Sequence, residues 1–84
     1  MGRREDEAAV RRLLFGLGLD ARDGELRMTK GPNFHLLGGS QPTHERMQET
    51  CMRFNEALVR RGTSLNEIEI EEARRIIKEI EDKL

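Results

Sequence analysis

The chain of 84 residues has no tryptophan, no tyrosine, one cysteine and two prolines. The lone thiol, Cys51, excludes an internal disulfide and with it the stapled scaffold of many small secreted domains. Three phenylalanines are the whole aromatic content, too few for a row of exposed rings that would stack single-stranded bases. An excess of one charge is missing too: 15 Lys and Arg stand against 16 Asp and Glu, a net charge of −1 with His neutral. The domain-wide positive field of most nucleic-acid binders is therefore absent. No apolar run approaches the roughly 20 residues that span a bilayer. None follows Arg3 and Arg4 as a signal peptide requires, and Asp6 stands where a myristoylation signal needs Ser or Thr. The expectation is a cytoplasmic protein without a membrane partner.

What is present divides at Gly and Pro into one domain covering 1–84, with residues 1–4 expected to be a disordered tail. Val10, Leu13, Leu14 and Leu17 have helical spacing and predict a first helix over about Glu5–Leu17. Leu19–Gly24 reads as a loop. Glu25–Lys30 and Asn33–Leu37 alternate, which predicts an antiparallel hairpin. Placing Leu26, Met28, Phe34 and Leu36 on one face requires an odd loop. Lys30-Gly31-Pro32 then pairs Met28 with Phe34, Leu26 with Leu36 and Arg27 with His35, and a two-residue Gly31-Pro32 turn is rejected. Ser40 predicts the N-cap of a long helix ending at about Arg61 before Gly62, with Met47, Cys51, Phe54 and Leu58 as its apolar stripe. After Thr63–Glu69, a connector or a short turn of helix, a last helix over about Ile70–Lys83 carries Ala73, Ile76, Ile77, Ile80 and Leu84. The expected fold is a small α+β domain of order αββαα, a two-stranded antiparallel sheet packed on helices. Its expected core is Phe15, Leu26, Met28, Phe34, Leu36, Cys51, Phe54, Leu58, Ile76, Ile77 and Ile80.

Chemistry has few places to reside. Gly38-Gly39-Ser40 leads into a helix start, where backbone N–H groups and the positive end of the dipole can hold an anion. Gly38, Gly39, Ser40, Thr43 and His44 form that candidate anion site. The plainer reading is a corner turned by two glycines and a helix capped by Ser40. The Lys and spacing of a phosphate-binding loop are missing. His44-Glu45-Arg46-Met47-Gln48 departs from the zinc protease pattern His-Glu-x-x-His at its last position, so no metal is expected. Cys51 sits mid-stripe, two turns from His44, and reads as a small buried residue rather than a nucleophile. No cofactor is indicated.

Most of the 37% of charged residues are absorbed by pairs at i, i+4: Glu49 with Arg53, Glu56 with Arg60, Glu71 with Arg75, and Glu79 with Lys83. Arg46, Arg53 and Arg60 recur every seven residues, a ridge suited to phosphates yet neutralised by adjacent glutamates. Met52 and Val59 form a second apolar strip. It marks either a helix packed on two sides, the more economical reading, or an interface, with Met52 and Val59 as interface residues. The leading functional expectation is a small binding or assembly module, non-enzymatic, acting through contact with a protein partner or with itself as a homodimer. A phosphate- or nucleotide-binding protein using the Gly-Gly-Ser helix start is the first alternative, and a weak nucleic-acid-binding regulator using the arginine ridge is the second.

Overall fold

From Leu13 to Leu19 every second residue is a large apolar side chain, and Gly16 and Gly18 lie between them. A period of two competes with the helical spacing, and in the computed structural model, which describes residues 12–84, it prevails. Leu14–Gly18 is a strand, β1. It is followed by β2 (Met28–Gly31), β3 (Phe34–Gly38), helix α1 (Gln41–Arg61) and helix α2 (Ile70–Lys83). The expected helix over Glu5–Leu17 is thus corrected from Leu14 onward. Its first part and the expected tail at 1–4 lie outside the described residues.

Among the described residues the sheet has three strands, not two, in the order β1-β3-β2. β1 runs parallel to β3, with Leu14 opposite Phe34 and Gly18 opposite Gly38. β2 is antiparallel to β3, with Met28 opposite Leu37 and Gly31 opposite Phe34. The described architecture is therefore a small α+β arrangement of three mixed strands followed by two helices.

The expected three-residue loop is also corrected. The turn is Pro32-Asn33, and Asn33 adopts φ 70°. Proline followed by a residue at positive φ is what a type II turn requires, and Asn tolerates that position better than most residues. The turn is docked on α1: Asn33 Nδ2 donates to Asn55 Oδ1 at 3.0 Å, and Asn55 Nδ2 donates to the Pro32 carbonyl at 2.8 Å. The one-residue difference in loop length turns Leu26 and Met28 to the face opposite Phe34 and Leu36.

Helix α1 begins and ends as expected. Ser40 caps it by accepting from the Thr43 N–H, and Gly62 closes it at φ 68°. Helix α2 starts after an extended Glu69 and exposes Leu84. Both helices lie on one face of the sheet. Phe54, Ala57, Leu58, Leu65, Ile68, Ala73 and Ile76 form one buried cluster, and Phe34, Leu36 and Cys51 form another. Leu14 packs against both, which joins them into one core. Leu65 and Ile68, in the stretch expected to be a connector or a short turn of helix, are core residues, and the Glu67 and Ile68 N–H groups close a turn there on the Ser64 carbonyl. Arg12 holds that connector by donating from Nη1 to the Leu65 and Ile68 carbonyls.

Three expected core residues are not in the core: Phe15, Leu26 and Met28 are exposed. Ile77 and Ile80 are half-buried at its edge. The reading of α1 as a helix packed on two sides fails as well, because Met52 and Val59 are exposed.

Candidate functional site

The glycine corner is built by crossing chains. Gly38 and Gly39 take φ 79° and 88°, values that L side chains rarely adopt, and they deliver the chain from β3 to α1. The structure brings Gly38, Gly39, Ser40, Thr43 and His44 together there, and hydrogen bonds within the chain engage the Gly38 and Gly39 carbonyls, the Ser40 and Thr43 N–H groups and hydroxyls, and both His44 ring nitrogens. A residue outside the expected set is central: Asp20, in the loop after β1. Its carboxylate accepts from the Ser40 N–H at 2.7 Å, from the Ser40 hydroxyl at 3.0 Å and from the Thr43 hydroxyl at 2.7 Å. An anion is therefore present at the start of α1, supplied by the protein itself.

Arg27 fastens the same loop from the other side. Its Nη1 donates to the Gly39 carbonyl at 3.1 Å, and its Nη2 pairs with Asp23 at 2.7 Å. His44 is buried beneath. Its Nδ1 lies 2.8 Å from the Gly38 carbonyl and its Nε2 2.7 Å from Thr29 Oγ1. A carbonyl only accepts, so Nδ1 carries a proton, and Nε2 shares a hydrogen bond with the threonine hydroxyl. Both ring nitrogens are satisfied by structural bonds.

The Ser40 N–H, followed by the Thr43 and Ser40 hydroxyls, lowers the Asp20 pKa from its ordinary 3.8 to about 2. Hydrogen bonds from Arg27 and from the Glu25 N–H bring Asp23 to about 2 as well. Each folded pKa lies below the unfolded one, so the stabilisation is fully present above about pH 4 and is lost as pH falls through about 2. Acid titration followed by NMR is expected to move the Ser40 and Thr43 amides in that window. Asp20→Asn should abolish this response while leaving the one at Arg27, which reports Asp23. A response that begins above pH 5 would refute the assignment.

The second feature is the face of the sheet that the helices leave open. Along β1 the inward positions are Leu14, Gly16 and Gly18, and the outward ones Phe15 and Leu17. On β3, His35 and Leu37 alternate outward from the buried Phe34 and Leu36. On β2, Met28 and Lys30 face outward, while Thr29 turns in to His44. Registry aligns these into two rows across the sheet, Phe15–His35–Lys30 and Leu17–Leu37–Met28. Phe15 is 63% exposed, Leu17 55% and Met28 62%. Leu13 and Leu19 continue the outward parity of β1, and Leu26 that of β2, and all three are exposed.

Sequence reasoning missed this face because it allowed the sheet only one apolar side. The usable signal was the unbroken run Leu13-Leu14-Phe15, in which both parities are apolar.

Other candidates carry less chemistry. Burial pushes the Cys51 thiol up, opposite to the shift that makes a reactive thiolate. The arginine ridge is partly neutralised: Arg53 pairs with Glu49 at 2.8 Å, and Arg61 pairs with Glu72 on α2. The expected pairs Glu56–Arg60, Glu71–Arg75 and Glu79–Lys83 do not close among the described residues, and Lys78 pairs with Asp82 instead. Met52 and Val59 lie on the solvent side of α1, away from the sheet that its buried stripe covers. Among the described residues no cluster of three metal-ligating side chains occurs, and no helix is long and apolar enough to cross a membrane. No family model, curated protein or solved structure matches this chain.

Proposed function

We propose that this domain is a non-enzymatic binding and assembly module that acts through protein–protein contact, with the outward face of the sheet as its contact surface. One observation carries the reading: Phe15, Leu17 and Met28 stand exposed around Leu37 on a sheet whose other face packs Phe34 and Leu36 against Cys51 of α1. Single exposed apolar side chains are ordinary, but a contiguous patch of them on a flat face marks an interaction site. The glycine corner supports the same reading by exclusion of effort, since Asp20, Arg27 and Thr29 engage its polar groups in holding the loop and helix together.

Photo-crosslinking tests the surface. A benzophenone side chain placed at Phe15 or Met28 is expected to capture a partner in cell extract, and one placed at Val59 is not. Capture from Val59 alone would move the interface to α1 and overturn the proposal. The alternative of a phosphate site at Gly38–Thr43 has its own check. Inorganic phosphate or AMP at millimolar concentration is expected to leave the Gly39, Ser40 and Thr43 amides unmoved, because Asp20 already holds the Ser40 N–H and the Ser40 and Thr43 hydroxyls and repels a second anion.

A further inference from the structure

We propose that the occupant of the outward sheet face is a second copy of this chain, with the two sheets packed face to face about a twofold axis parallel to β3. The inference rests on the contact-surface reading above and adds the identity of the partner. Strands that are apolar at both parities have the composition of strands covered on both sides. The helices cover one side. Residues 1–11 hold six charged side chains, and beyond Ala8 and Ala9 only Met1 and Val10 are apolar. That segment does not match a surface of Leu13, Phe15, Leu17, Leu19, Leu26 and Met28.

A second copy does match it. A twofold axis along β3 lays each row on itself with its ends exchanged, so Leu17 meets the partner's Met28 and Leu37 meets the partner's Leu37. The outward positions of the strands carry no carboxylate, and their one fixed charge, Lys30, is at the β2 end of a row whose β1 end is Phe15. The same operation brings the Lys30 ammonium over the partner's Phe15 ring, an attraction that the site supplies twice. An axis across the strands would put Lys30 against the partner's Met28 instead. Strands related by the favoured axis stay aligned, as in sheet-on-sheet packing at about 10 Å. With a net charge of −1, two copies also approach without appreciable long-range repulsion.

Three strands of four or five residues cover roughly 14 by 16 Å, below the ~800 Å² per partner of a stable complex even after the flanking leucines are added. The dimer is therefore a weak one that dissociates on dilution.

Sedimentation velocity of the full chain from about 1 to about 500 µM is the test. The mass is expected to rise from that of a 9.7 kDa monomer towards twice that value. Leu17→Asp should hold the chain monomeric at every concentration, with a thermal unfolding curve that matches the wild type at dilutions where both are monomeric. Phe15→Leu, which keeps the apolar bulk and removes the ring, should weaken the dimer about 3- to 10-fold. A chain that stays monomeric at the highest concentration overturns the proposal, as does a dimer broken by Val59→Asp and not by Leu17→Asp. Failure of the dimer and failure of the contact surface are separable. If the chain is monomeric and Phe15 still crosslinks to another protein, only the identity of the partner is wrong; if it crosslinks to nothing, the surface reading falls too.

Discussion

Phe54→Ala is expected to lower the free energy of unfolding by about 3–5 kcal/mol, measured by urea denaturation at neutral pH. Among the described residues Phe54 is the one large side chain with no exposed surface, and it sits among Ala57, Leu58, Leu65, Ile68 and Ile76. These neighbours come from α1, the connector and α2, and half-buried Leu14 of β1 packs on the same cluster. Truncating the ring removes its transfer free energy and also leaves a hole that none of these elements can close alone. Helix α1 is held by a cap at each end and tied to α2 by the short connector, which resists collapse into the space. A domain of this size has about 5–15 kcal/mol to lose, so the variant should be partly unfolded in mild denaturant. Val59→Ala, one turn away on the exposed side of the same helix, should stay within about 0.5 kcal/mol of the wild type. A loss below about 1 kcal/mol for Phe54→Ala would mean that α1 presents a different face to the sheet.

The helices were legible because their determinants are local. Ser40, Pro42 and Gly62 mark the ends of α1, and the spacing of Cys51, Phe54 and Leu58 sets its buried side. For α2, Ala73 and Ile76 did the same. The sheet was legible only in part. Parallel pairing of β1 with β3 joins residues about twenty apart in sequence, and no local pattern announces it. Leu13, Leu14 and Leu17 fit helical spacing although Leu14 faces inward on the strand while Leu13 and Leu17 share the other parity. The same two-sidedness misled the hairpin: four apolar residues were assigned to one face when they belong to two. At the glycine corner the five expected residues do come together, but Asp20 was invisible as their partner. Its role depends on a loop folding back across twenty residues onto a helix start.

Gly18→Ala is expected to cost more than any other glycine-to-alanine change in the β1 loop region, about 3 kcal/mol or above, since overpacking against backbone has nowhere to relax. A Cβ on Gly18 would stand 2.5 Å from the Gly39 Cα and 2.8 Å from the Gly39 nitrogen. Those atoms are main chain, fixed on one side by the β1–β3 ladder and on the other by the Ser40 N–H on Asp20. Relief therefore means opening one or the other. Gly16 offers an instructive contrast. Its Cβ would lie 2.7 Å from Leu36 Cδ2 and 2.9 Å from Met47 Sδ, and both are ends of flexible side chains. Gly16→Ala should accordingly cost only about 1–3 kcal/mol. Gly24 stands at φ 75° with nothing within 4 Å of its Cβ, so Gly24→Ala meets only the left-handed backbone penalty of about 1 kcal/mol. Chemical denaturation of the three variants should rank them Gly18, Gly16, Gly24. The Gly18 variant alone should also shift the Gly39, Ser40 and Thr43 amides, because its side chain pushes on the corner that those residues form. If Gly18→Ala proves no worse than Gly24→Ala and leaves the corner amides in place, β1 does not end against Gly39, and the parallel pairing that creates the outward face is wrong.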